Sequence, residues 1–409
     1  MFRPGRPVRR CRPAETPMDV TLCLTHACNM RCDYCYAGRK SGRRMSWDTA
    51  CRALDFTLAR SLEQADQSNR PPACQLGFFG GEPLLEWDLL VKATQHALAE
   101  AESLGIRLKR TVTTNMTLLD EDKVRWLRDH CFHVGLSLDG MREMHDTLRR
   151  TAAGGPSHDL CAPALDFYRG PDANGEVIVV VDPRTVGMLA DSIAWLIARD
   201  IRRISLNPNF TALWDRAALD IWQEAYARIG DLYVECFRDN RPVAINLIDG
   251  KIRSRINGGY RPCDRCGFGE NETAVSAAGY FYPCERLVGD DSNEDLRIGH
   301  VRDGFYPAAR HRLLAGRRND VSECADCPAR DRCMNWCGCV NYASTGFINR
   351  VPGIVCHHER MSIAAADRVG GILFAEGNPA FLSTFYGDPG GTRASPDRYA
   401  VAGDARALH

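Results

Sequence analysis

The stretch Val20-Thr-Leu-Cys-Leu-Thr25, His26-Ala27, then Cys28-Asn-Met-Arg-Cys32-Asp-Tyr-Cys35 decides how this chain is read. Its first half is β-branched and apolar, the pattern of a buried strand. Its second half places three cysteines within eight residues, in the loop that follows the strand. Three thiolates can hold three irons of a 4Fe-4S cube, which leaves the fourth iron open to a small molecule. A cluster with a purely structural task takes four cysteines, so a triad reads as a reactive centre. The position agrees, because ligands of parallel sheets gather at the carboxyl ends of the strands. The competing readings are a zinc site that borrows a distant ligand and a set of buried thiols.

Working outward, similar short strands recur at 75–80 (QLGFFG), 110–115 (RTVTTN), 133–139 (HVGLSLD), 176–182 (EVIVVVD) and 202–208 (RRISLNP). Helical patterns fall between them, near 47–66, 86–104, 120–130, 158–169, 184–199 and 215–239. Ser46 and Asp120 stand where N-caps belong. Alternating β and α units imply a parallel sheet with right-handed crossovers. Six repeats give an α/β partial barrel of the (β/α)6 kind, where a closed barrel needs eight. The expected organisation is a basic disordered tail over 1–17, the partial barrel over 18–240, a small cysteine-rich iron–sulfur domain over 241–375 ending in a helix near 358–375, and a mostly disordered tail over 376–409. The third region is rich in Gly, Cys, Asp and Arg, and metals would staple it.

The 409 residues carry 52 basic and 52 acidic side chains, so nothing in the charge balance favours nucleic acid or an anionic membrane. No run reaches the roughly 18 apolar residues of a membrane span, and the basic N-terminus lacks the apolar core of a secretory signal. A cytoplasmic setting follows, where thiols stay reduced. Nineteen cysteines there argue for metal or redox chemistry.

The triad with Tyr34 before its third cysteine resembles that of the radical S-adenosylmethionine enzymes. Further stretches agree with that family: Gly80-Gly81-Glu82-Pro83 after the second strand, Thr113-Thr114-Asn115 after the third, and Ser137-Leu-Asp139-Gly followed by His145-Asp146 and Arg149 after the fourth. The resemblance implies a 4Fe-4S cluster on Cys28, Cys32 and Cys35 whose open iron is chelated by S-adenosylmethionine. Reductive cleavage then yields a 5′-deoxyadenosyl radical that abstracts hydrogen from substrate. It also implies that Tyr34, Gly80, Gly81, Glu82, Thr114, Asn115, Ser137 and Arg149 bind the cofactor, with Glu82 toward its ammonium group and Arg149 toward its carboxylate. Arg150 competes for the second role, and His145 reads as structural.

The C-terminal cysteines follow a second family pattern: Cys266, Gly279, Cys284, Cys324, Cys327, Cys333, Cys337 and Cys356. This is similar to the SPASM module, which carries auxiliary clusters. The resemblance implies a nearer 4Fe-4S cluster on Cys263, Cys266, Cys284 and Cys337, and an outer one on Cys324, Cys327, Cys333 and Cys356. Three clusters in all would result, with zinc as the rival occupant of the C-terminal sites. Cys339 reads as a spare. Cys11, Cys23, Cys51, Cys74, Cys131, Cys161 and Cys236 read as small buried hydrophobes.

Enzymes of that branch modify peptides and proteins. Anaerobic sulfatase maturases carry Asp after the cysteine matching Cys284 and usually Gln before Gly-Gly-Glu-Pro; this chain has Glu285 and Phe79. The expectation is therefore oxidation or cross-linking of a ribosomally made precursor peptide, with Glu285 as base and the auxiliary clusters accepting the electron; pairing with Arg286 or capping a turn is the competing reading of Glu285. Formylglycine formation is the alternative, and a non-catalytic iron–sulfur carrier or scaffold is the alternative of another class. The expected partners are the precursor peptide or protein and a reductant such as ferredoxin or flavodoxin. Only 27 residues precede Cys28, too few for a leader-binding domain, so the precursor is expected to dock on the barrel or the SPASM surface or to be presented by a separate protein.

Overall fold

The computed structural model describes residues 18–318 and 322–387; the side chains of Cys263, Arg317, Arg318 and Ser322 are outside that description. The expected basic tail and most of the C-terminal tail lie outside the described residues. Six strands stand where the alternation places them: β1 (Met18–Thr25), β2 (Ala73–Gly80), β3 (Arg107–Thr114), β4 (Phe132–Ser137), β5 (Gly175–Val181) and β6 (Arg203–Pro208). Each pairs in parallel with the next. The short β7 (Ala244–Ile245) extends the far edge beside β6.

The other edge is occupied too. β8 (Glu272–Val275) pairs in parallel with β1, Asp19 opposite Glu272 and Leu22 opposite Val275. From β8 the chain continues antiparallel through β9 (Tyr280–Tyr282), β10 (Gly299–His300) and β11 (Gly304–Phe305). The sheet therefore runs β11-β10-β9-β8-β1-β2-β3-β4-β5-β6-β7 without closing, a partial barrel whose strands continue into the cysteine-rich region.

Side chains alternate across this sheet as the pleat requires. Val20, Leu22 and Leu24, with Leu76, Phe78, Val177 and Val179, are buried against the helices. The intervening residues Asp19, Thr21, Gln75, Thr111, Thr113 and Asn207 line a cavity of about 500 Å³. The barrel thus has an apolar convex side and a concave side on which these polar residues alternate with Phe79, Ile178 and Val180.

Ser46 and Asp120 cap their helices, accepting bonds from the Thr49 and Lys123 amides at 3.1 and 2.8 Å. Two helical expectations change. The stretch 158–169 holds only a single turn, His158–Cys161, and then a 3-10 run over Ala162–Tyr168. Pro163 supplies no N–H to continue an α-helix. The expected tail from 376 instead begins with the helix Pro379–Tyr386, capped by Asn378 and anchored by fully buried Phe381. The preceding helix starts at Gly353 and runs to Ala375. Among the described residues no helix is long and apolar enough to cross a membrane.

Candidate functional site

The three-cysteine loop is held from both sides. The Arg31 and Asp33 amides donate to the carbonyls of Arg150 and Leu148 at 2.7 and 2.9 Å, and the Met30 amide donates to Cys28 Sγ at 3.4 Å. On the other side the Gly81 and Glu82 amides donate to Thr25 and Ala27 carbonyls at 2.7 and 2.9 Å. Only glycine permits this docking: a Cβ on Gly81 would stand 2.0 Å from the Ala27 oxygen, and Gly80 has φ +130°. Cys28, Cys32 and Cys35 carry no disulfide and face one cavity. Burial pushes the thiols of Cys28 and Cys32 above the ordinary cysteine range. Lys40 Nζ donates to Cys35 Sγ at 3.1 Å, a cation beside a group that must lose its proton to bind iron.

Glu82 is buried and bonded both from its own turn and from the next strand end. Thr114 Oγ1 and the Leu84 amide donate to Oε1 at 2.7 and 3.1 Å, and the Asn115 amide donates to Oε2 at 2.7 Å. Burial raises its pKa to about 6 despite those bonds. The Asn115 side chain reaches back to Asn29 Oδ1 at 2.9 Å and to Cys28 Sγ at 3.7 Å. Thr114 and Asn115 thus tie the glycine element to the cysteine loop.

Arg149 is buried, whereas Arg150 is exposed. Arg149 Nη1 donates to the Tyr34 hydroxyl at 2.7 Å, which donates to Asp139 Oδ2 at 2.5 Å. Arg149 Nε is buried without a hydrogen-bond partner. A relay fixes this arginine: the Asp139 amide donates to His145 Nδ1 at 3.3 Å, His145 Nε2 bonds Ser157 Oγ at 2.9 Å, and Ser157 Oγ donates to the Arg149 carbonyl at 2.7 Å. Burial, then the charges of Arg149 and His158, push His145 down to about 2, so the imidazole is neutral. Its role is structural, as the sequence suggested. Ser137 ends β4 on the cavity wall.

The far wall comes from the C-terminal region. Glu285 opens a 3-10 turn, lines the same cavity, and its Oε2 accepts from Cys284 Sγ at 3.4 Å. Asp19 and Glu272 line it too. Burial, then the nearby Glu285 charge, raise Asp19 to about 7 and Glu272 well above the carboxylate range. Neither was singled out in the sequence, although strand alternation places Asp19 inward. Phe79 stacks on Tyr36 with ring centroids 6.0 Å apart and planes 2° apart. Arg286 lies over the other end of this ladder, 5.1 Å from the Tyr36 ring.

Residues 22–165 match the Radical SAM superfamily. Over these residues the chain is similar to radical SAM domains. The cysteine-type anaerobic sulfatase-maturating enzyme of Clostridium perfringens is 22% identical over 325 residues, 76% of this chain and 85% of that protein. The solved structure of native anSMEcpe with bound AdoMet superposes with a TM-score of 0.73 at 17% identity, covering 87% of this chain and 99% of that one. Streptococcus suis SuiB bound to precursor peptide SuiA gives 0.53 at 15% identity, covering 83% and 76%. These two likenesses are of fold.

Radical SAM domains use S-adenosylmethionine and a 4Fe-4S cluster. The donors here suit both: three unpaired thiols on one wall for iron, and an orphaned buried guanidinium nitrogen for a carboxylate. Of the C-terminal cysteines, Cys324, Cys327 and Cys356 lie within electrostatic reach of one another; burial first, then neighbouring thiols, raise Cys324. Cys333 instead contacts Glu359, which pairs with Lys251 Nζ at 2.5 Å in a buried ion pair. The Cys263 side chain lies outside the described residues. Of the cysteines expected to be buried hydrophobes, Cys23, Cys74, Cys161 and Cys236 are buried, Cys51 is partly exposed and Cys131 is exposed. Cys51 meets His96 Nε2 at 3.5 Å, a polar neighbour that its side chain would lose in a core. Cys131 follows the helix C-cap His130 at φ +51°, which turns it outward.

Proposed function

We propose that this chain is a radical S-adenosylmethionine maturase of a ribosomally made peptide, acting in the cytoplasm with a ferredoxin- or flavodoxin-type reductant. One observation carries the reading: the three-cysteine loop and the Glu285 carboxylate open on the same cavity, with an aromatic wall of Phe79 and Tyr36 between them. When bound on Cys28, Cys32 and Cys35, the cluster and S-adenosylmethionine supply a 5′-deoxyadenosyl radical. Arg149 holds the methionyl carboxylate and Glu82 the ammonium group, both with side chains fixed in advance. The concave face seats the peptide, and the closed apolar side keeps water out. Glu285 takes the proton that the substrate loses as its new bond forms. Auxiliary clusters, one held by Cys266, Cys284 and Cys337 with a fourth thiolate and one by Cys324, Cys327, Cys333 and Cys356, would accept the remaining electron.

The test is anaerobic incubation of the reconstituted protein with S-adenosylmethionine, dithionite and either a sulfatase-type Cys/Ser peptide or a small precursor peptide encoded nearby. A mass loss on the precursor, accompanied by 5′-deoxyadenosine, supports the reading; no 5′-deoxyadenosine with any peptide overturns it. Formylglycine on the sulfatase peptide would favour the second reading, which the sulfatase-maturating relative named above supports. Glu285→Gln should still cleave the cofactor but yield no product, and unchanged yield would remove Glu285 from the mechanism.

A further inference from the structure

Cys339 sits in the first turn of the helix Gly338–Thr345 and is buried. Its Sγ lies 3.6 Å from Cys337 Sγ, and it shares a second hydrogen bond with the Cys284 thiol. It therefore touches two of the thiols assigned above to the nearer auxiliary cluster. Phe268, two residues past Cys266, lays its ring on Gly338, where a Cβ would stand 2.9 Å from the ring edge. Gly338 thus lets the Cys266 segment close onto the Cys337-Gly338-Cys339 turn. Arg286 places a cation beside Cys284 and Cys339, and Cys339 also lies on the wall of the cavity that Cys28 lines. A cysteine that only fills space contacts apolar groups, whereas this one is bonded to two thiols.

We propose that Cys339 is the fourth thiolate of the nearer auxiliary cluster, beside Cys266, Cys284 and Cys337, with Cys263 outside that set. The inference rests on the reading that a cluster is held here. Ligation exchanges the thiol proton for an iron–sulfur bond and releases the proton to solvent. With four protein thiolates the cluster would keep no iron open for a substrate to coordinate.

The test compares wild type, Cys339→Ser and Cys263→Ser, each full length and purified anaerobically with its clusters, by iron content and by the EPR spectrum after dithionite reduction. Cys263→Ser is expected to keep wild-type iron and auxiliary signal. Cys339→Ser is expected to lose about four irons per chain, or to keep them with shifted g values through the serine oxygen, while the signal of the Cys28, Cys32 and Cys35 cluster persists. Should that signal also vanish, Cys339→Asp, which retains an anionic donor, is expected to restore it with altered auxiliary g values; no restoration counts against ligation. Wild-type spectra in Cys339→Ser overturn the proposal, and equal iron loss in both variants overturns the exclusion of Cys263. A wild-type protein holding only about four irons would instead remove the auxiliary cluster itself, a failure of the underlying reading.

Discussion

At the residue scale the end of the cavity beside the cysteine loop is built from side chains that are already paired. Arg149 bonds Tyr34 and keeps Nε in reserve. Arg149→Lys would keep the charge but lose the planar fork, and a charged hydrogen bond is worth about 1.5–3 kcal/mol. The S-adenosylmethionine concentration for half-maximal 5′-deoxyadenosine formation should rise by about tenfold to a hundredfold; no change would remove the carboxylate contact. His145 makes a pH prediction. Its folded-state pKa lies near 2, against 6.5 for a free imidazole. The unfolded chain therefore takes up a proton below pH 6.5 that the folded chain refuses, and stability falls as pH falls. The loss should be about 1 kcal/mol between pH 6.5 and 5.5. Denaturation midpoints of the anaerobic holoprotein should show this slope, and His145→Gln should flatten it; parallel slopes would assign the effect elsewhere. These residues were legible because they recur at strand ends in a recognisable order. Glu272 was not, since its neighbours show no period and its position inside the cavity comes only from pairing with β1.

At the element scale the glycine element is a clamp between β2 and the cysteine loop. Gly81→Ala would push a methyl group into the Ala27 carbonyl. The expected result is loss of about four irons per chain from the first cluster, read by iron analysis, with the auxiliary signals retained. Full iron would show that the loop tolerates the displacement. The last described helix, Pro379–Tyr386, is held by Phe381, whose ring meets Phe237 at 6.0 Å. Phe381→Ala should cost about 3–5 kcal/mol in chemical denaturation, whereas a cost under about 1 kcal/mol would mean the helix docks weakly. The strands of the barrel were readable from apolar alternation, and its longer helices from caps and period. The short C-terminal strands were not, because two to four residues carry no measurable period, and the helix at 379–386 is too brief to stand out beside a glycine- and proline-rich tail.

At the scale of the whole molecule one sheet joins both cysteine regions, because β1 is paired on one edge with β2 and on the other with β8. A chain ending at Ile256 would leave the backbone of Asp19–Leu22 open as a long sheet edge. It should partition into the insoluble fraction on expression; a soluble monomer with the same melting temperature would show that the barrel is independent of its C-terminal partner. The same pairing sets an order of events during translation. The partner of Leu22 is Val275, so about 250 residues must be polymerised before that edge is covered, which at about 5–20 residues per second takes roughly 12–50 s. Throughout that interval the nascent chain already displays Cys28, Cys32 and Cys35 beside an unshielded strand. Any iron delivered during translation would meet the loop while that edge is still uncovered.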